Sequence, residues 1–285
     1  MLNPKVHYYL IKFLATLTKQ DTVPDLIKCK IFDESDLKKL RGYAHRLMAY
    51  DYSVFQRLTD QRLKGLRVWE YGLLLDFLKS SPNAQHWNVL DVGPGRSVLP
   101  AFIAEITQSV TTIDYESPLE RPTEYSKAKW EKLKITSNQG SMLELPYENE
   151  KFDLVTCISV IEHLDDLGNG KQLPYEEFIE KTKVGLAEMA RVVKKGGHLY
   201  LTTDAYIPEM QKDIDIWSRK RKPGNIIWSA FKYNEIQEVF VEILEKSGLK
   251  LVGKPEYDKD LLLTNPGRSS YRGRYFTTFT LLAQK

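Results

Sequence analysis

VLDVGPGRSVLP, residues 89–100, decides the fold. A short β-branched and aliphatic run ends on Asp91, a tight turn follows at Gly93 and Gly95, and an apolar helical segment begins after Ser97, whose hydroxyl suits a helix cap. Strand, glycine turn and helix in that order open a parallel α/β layer, and the missing Cβ atoms let a ligand approach the backbone. A dinucleotide site would carry a third glycine at position 98, which is Val98. Asp91, two residues before the first glycine, would also repel a pyrophosphate, so a ligand bearing a cation suits the turn better.

Outward from this turn, β-rich runs recur at VTTID, KITS, FDLVTCISV and HLYLTTD, separated by stretches long enough for helices. That alternation predicts a doubly wound, mostly parallel α/β sheet with its ligand at the carboxyl ends of the strands. Asn234 to Ser247 reads as a helix closed by Gly248, followed by strands near Lys250–Val252 and Tyr275–Ala283. Before the sheet, Val6, Leu10, Phe13, Leu14 and Leu17 recur at helical spacing, as do Leu37, Leu40, Ala44, Leu47 and Met48. Residues 1–67 are therefore expected to form a helical N-terminal extension, a lid or a scaffold, ahead of a catalytic domain at 68–285.

The 285 residues are 42% hydrophobic and 28% charged, as in a globular chain with a buried core. A net charge of +3 gives little long-range pull on a polyanion, so no nucleic-acid partner is expected. Cys29 and Cys157 form neither a disulfide framework nor a zinc motif, which fits a reducing, cytoplasmic setting, and Cys157 lies within a strand as a core residue. No run approaches the roughly 18 apolar residues of a membrane span. No membrane partner is expected, whereas the apolar N-terminal helices offer a surface that could form a homodimer.

The D-x-G-x-G turn resembles motif I of class I S-adenosyl-L-methionine (SAM)-dependent methyltransferases, in particular the type 11, UbiE-like small-molecule group. Asp114 follows at the end of VTTID, close to the roughly 20-residue offset at which a carboxylate meets ribose hydroxyls in such folds. QGSMLELP matches the stretch that flanks adenine, through Ser141 and Met142, although many relatives carry Asp at the position of Ser141. FDLVTCISVIEHL, with Ser159 at its exit, and LAEMARVVKKGGHLYLTT are similar to the family's later strands. The resemblance covers residues 68–285 and implies a seven-stranded sheet whose last strand is antiparallel. It also implies SAM as cofactor, S-adenosylhomocysteine as product, and Asp91, Gly93, Gly95, Asp114, Ser141, Met142 and Ser159 as cofactor contacts.

Methyl transfer from a sulfonium is an in-line displacement accelerated chiefly by holding the reactants together, and a hydroxyl acceptor gains further from a general base. His163, just past the fourth strand, is the expected base. Glu162, Tyr206, Trp217 and Trp228 are the expected acceptor contacts, with Phe231 and Tyr233 nearby. The basic runs Arg219–Lys222 and Arg268, Arg272, Arg274 are read first as solvated faces. No metal is expected: Asp165, Asp166 and Asp204 could supply carboxylates, but nothing in the sequence fixes their geometry. The expected activity is SAM-dependent methylation of a small metabolite, sugar or natural product, on oxygen or nitrogen ahead of carbon. The competing readings are a protein or RNA methyltransferase docking through the N-terminal helices, and a non-catalytic SAM-fold binding protein.

Overall fold

A computed structural model describes residues 4–17, 22, 26, 28–50, 56, 58, 65–95, 97–115, 133–164, 173–207, 230–265 and 276–285. One mixed sheet organises the chain. Its strands are β1 (Lys30–Ile31), β2 (Asn88–Val92), β3 (Ser109–Asp114), β4 (Ile135–Gln139), β5 (Phe152–Ile158), β6 (Val193–Tyr206), β7 (Phe231–Lys232), β8 (Lys250–Leu251) and β9 (Phe276–Gln284). The spatial order is β1-β9-β6-β5-β2-β3-β4, with β7 alongside β6 and β8 alongside β9. β2 pairs in parallel with both β3 and β5, and β9 runs antiparallel to β6, so the last strand is the inverted one, as expected.

Among the described residues the sheet has nine strands where seven were expected. β7 is one addition and β1 the other, and each is only two residues long. β1 draws residues from the N-terminal extension into the sheet, pairing Lys30 with Thr280 and Ile31 with Phe279.

Helices cover both faces: α1 (Pro4–Leu17), α2 (Asp36–Lys39), α3 (Arg41–Met48), α4 (Leu66–Ser80), α5 (Leu99–Ala104), α6 (Tyr175–Val192), α7 (Glu242–Lys246) and α8 (Lys259–Thr264). α3 and α4 bury Leu47, Trp69, Leu73 and Leu74 against one side of the sheet, in a core that also holds Tyr200 and Leu282. α6 and α7 cover the other side with Phe178, Met189 and Leu244, beside Cys157 and Phe231. The helix expected over Asn234–Ser247 divides into a π-helical segment, Ile236–Val241, and α7, and it closes at Gly248 with φ +86°.

α1 buries Tyr8 and Ile11 against Met48 and Ala49, and leaves Val6, Leu10, Phe13 and Leu17 exposed. The helix is apolar on two sides, and the Tyr8–Ile11 side is the one that meets α3.

Candidate functional site

β2, β3, β5 and β6 all end at the same edge of the sheet, and the glycine turn rises from that edge. Asp91 is 2% exposed and accepts a hydrogen bond from Thr156 Oγ1 at 2.6 Å, which binds the ends of β2 and β5 together. The main chain then turns through Gly93 at φ +70° and Gly95 at φ +52°, conformations that favour glycine. The two glycines differ in surroundings. A Cβ on Gly93 would stand 2.3 Å from Val160 Cγ1, whereas one on Gly95 would meet nothing within 4 Å. Gly93 is thus required by packing, and Gly95 leaves an open cradle beside the turn.

Asp114, the last residue of β3, reaches across to that cradle, its Oδ2 accepting from Gly95 N at 2.9 Å. Gly93 N donates to Ile113 O at 2.8 Å, so β3 holds the turn at two adjacent points. Ser97, one position ahead of the N-cap Val98, accepts from Leu99 N through its Oγ and donates to Tyr71 Oη of α4 at 3.0 Å. Ser141, just past β4, accepts from Leu143 N through its own hydroxyl. Met142 packs toward α6, where a Cβ on Gly185 would lie 3.5 Å from its sulfur.

A buried polar network lies beneath the turn. Ser159 adopts φ +51°, a left-handed conformation that a serine holds only when its surroundings fix it. Its N donates to Thr202 O and its hydroxyl to Glu70 Oε1 at 2.7 Å. Glu70, on α4, is fully buried; it also accepts from Thr202 Oγ1 at 2.6 Å and pairs with Arg67 at 2.8 Å. Burial alone would pull the Arg67 guanidinium down, but Glu70, Glu162 and Asp204 outweigh it and hold the charge firmly in place. The 3₁₀ turn Ile161–His163 carries Glu162, which accepts from Thr203 Oγ1 at 2.7 Å. Burial, then the neighbouring Asp204, raises its carboxyl well above the usual range. Asp204 accepts from Thr278 Oγ1 on β9.

The structure therefore brings Asp91, Gly93, Gly95, Asp114, Ser159 and Glu162 to one edge of the sheet, with half-buried His163 on the same turn as Glu162. Ser159 donates its hydroxyl to Glu70, and Met142 is half-buried against the core on the α6 side. Tyr206 is 3% exposed at the end of β6, packed in the core on the α4 side, and Phe231 is fully buried. Trp217, Trp228, Asp165, Asp166, Arg219–Lys222, Arg268, Arg272 and Arg274 lie outside the described residues.

Arg67, Glu70 and Tyr71 were missed. Their sequence signal was the presence of charges in a helix buried almost all round, since LRVWEYGLLLDFLKS also hides Asp76, which pairs with Lys28. A charge in such a helix needs a partner from elsewhere in the chain.

Residues 90–201 match the family described as Methyltransferase domain. The uncharacterized methyltransferase YcgJ of Bacillus subtilis is 23% identical over 214 residues, 70% of this chain and 78% of the relative. The ubiquinone biosynthesis O-methyltransferase of Rickettsia canadensis is 29% identical over 163 residues, 56% of this chain and 65% of the relative, just under two thirds of its length. Among solved structures, a geranyl diphosphate methyltransferase in complex with GPP and sinefungin shares the fold, with a TM-score of 0.53 at 14% identity over 82% of this chain and 83% of that one. The matched stretch, which spans the glycine turn, Asp114 and the Glu162 turn, is thus similar to a methyltransferase domain.

Proposed function

We propose that the chain transfers the methyl group of SAM to a hydroxyl oxygen of a small acceptor, at the edge where Asp91, the glycine turn, Asp114 and the Glu162–His163 turn meet. The observation that carries this reading is the Asp114–Gly95 contact: a carboxylate and an open backbone cradle held 2.9 Å apart by the fold itself. The ligand is polar and carries cationic groups, and the residues present suit it. Gly95 supplies space, Asp91 and Asp114 supply negative charge on either side, and Arg67 supplies a fixed cation for a carboxylate. The proposed contacts are Asp91, Gly93, Gly95, Asp114 and Ser141, with Ser159 holding Glu70 and the main chain beneath them. The cofactor supplies an electrophilic methyl group on sulfur.

The remaining chemistry falls to the protein's own groups. His163 is proposed as the proton acceptor for the hydroxyl, since it is half-buried at the exit of β5 and its turn is fixed by His163 N donating to Val160 O. Glu162, buried beside it, positions that turn through Thr203. Oxygen as the methylated atom is supported by the similarity to an O-methyltransferase of ubiquinone biosynthesis. Residues 1–67 are read as scaffold, because β1 and α3 are built into the sheet and its core.

Calorimetric titration with SAM and S-adenosylhomocysteine tests the cofactor site. Micromolar binding is expected, weakened at least tenfold by Asp114→Ala, and equal affinity in that variant would remove the site as drawn. Labelled SAM offered with hydroxylated aromatic acceptors then tests the acceptor class, and transfer confined to amines would overturn the oxygen assignment.

A further inference from the structure

α1 carries a second apolar face that is exposed among the described residues. Val6 is 53% exposed, Tyr9 66%, Leu10 44%, Phe13 60% and Leu17 63%, and five such side chains on one 14-residue helix are not incidental. At about 100° per residue they share one side, opposite Tyr8 and Ile11, which hold the helix on α3. Lys5 and Lys12 lie together along one border of the exposed face, His7 lies along the other, and Pro4–Leu17 contains no Asp or Glu.

We propose that α1 lies flat on an anionic lipid surface, with Val6, Tyr9, Leu10, Phe13 and Leu17 in the headgroup–acyl boundary and Lys5 and Lys12 among the phosphates. Charge favours this occupant. A helix without a single acid, with exposed Lys5 and Lys12 along its border, complements a negative interface. Aromatic rings at the boundary suit the same environment, as Tyr and Phe combine large apolar area with few rotamers. Area disfavours a second copy of this chain. The face exposes on the order of 500 Å² of side-chain surface, short of the roughly 800 Å² per partner in a stable interface. No helix among the described residues is long and apolar enough to cross a membrane, so the attachment is peripheral and reversible. α1 rests on α3 and α3 on α4, whose Glu70 and Tyr71 brace the turn region, so a docked chain keeps its site at a fixed height above the surface.

The experiment is sedimentation of the full chain with vesicles of phosphatidylcholine alone or mixed with phosphatidylglycerol, at about 0.1 M and about 0.5 M salt. Binding to the anionic vesicles is expected to be at least tenfold tighter than to the neutral ones and to weaken in salt. Leu10→Gln/Phe13→Gln should lower vesicle affinity at least tenfold at both salt levels, and Lys5→Gln/Lys12→Gln should remove the anionic preference. All four positions are exposed, and unchanged melting temperature and circular dichroism confirm that the variants fold. No binding of the parent chain to anionic vesicles, or undiminished binding of Leu10→Gln/Phe13→Gln, overturns the proposal. So does a dimeric mass by light scattering that becomes monomeric in that variant, which would make a second copy the occupant.

Discussion

The two glycines of the turn make the sharpest test, because the same substitution should break different things one position apart. Gly93→Ala places a methyl group 2.3 Å from Val160 Cγ1 and 2.8 Å from its Cγ2, on a backbone at φ +70°. The left-handed conformation costs a non-glycine residue about 1–2 kcal/mol, and forcing a methyl into packed surroundings costs about 1–3 more. Together they give about 2–5 kcal/mol, a fall in melting temperature of roughly 5–15 °C for a domain of this size. Val160 directly precedes the Ile161–His163 turn, so its displacement should also lower turnover. Gly95→Ala carries only the backbone cost, about 1–2 kcal/mol, because its Cβ meets nothing within 4 Å. That methyl instead occupies the cradle, and S-adenosylhomocysteine should bind roughly 10- to 100-fold more weakly. Thermal unfolding and calorimetric titration of both variants separate the effects. A Gly93→Ala protein that melts with the parent, or a Gly95→Ala protein that binds ligand normally, would refute the division of roles.

Glu70→Ala should cost about 2–4 kcal/mol, since it strands Arg67 and two hydroxyl donors, and denaturant unfolding would show it as a lower midpoint at unchanged slope. Glu162 has its folded pKa raised above the ordinary 4.5, so the native state holds a proton that the unfolded chain releases, and stability falls as pH rises above that value. Glu162→Gln removes this loss while leaving an acceptor for Thr203; its melting temperature should equal the parent's near pH 4 and exceed it at pH 8, and parallel curves would contradict the assignment. His163→Ala should lower kcat about 10²- to 10⁴-fold near neutral pH with ligand affinity unchanged; an unaltered pH–rate profile would show that the imidazole takes no proton.

The parts of the site that sequence reading found are those built from neighbours in the chain. Asp91, Gly93 and Gly95 announce a strand end and a turn within five residues, and Asp114 closes the next strand at a regular offset. What escaped depends on contacts between distant segments. Glu70 reaches Ser159 across 89 positions and Thr202 across 132, and no spacing rule links them. β1 is two residues long, too short to show alternation, and only its pairing with β9 defines it. The α1 stripe was visible as a periodicity, but a helix apolar on two sides does not reveal which side meets its neighbour.

β9 sits inside the sheet, with β6 on one side and β1 and β8 on the other, and Phe279, Leu281, Leu282 and Ala283 are fully buried. During synthesis, therefore, β1 and β8 lack their β9 partner until 276–284 have been made, some 250 positions after the first of them. Such distant pairings are closed late and slowly. Until then β6 presents an unpaired edge of backbone N–H and C=O groups, the kind of surface that captures other chains. The topology thus lets the strands that carry Asp91 and Asp114 pair before one flank of the sheet can be closed.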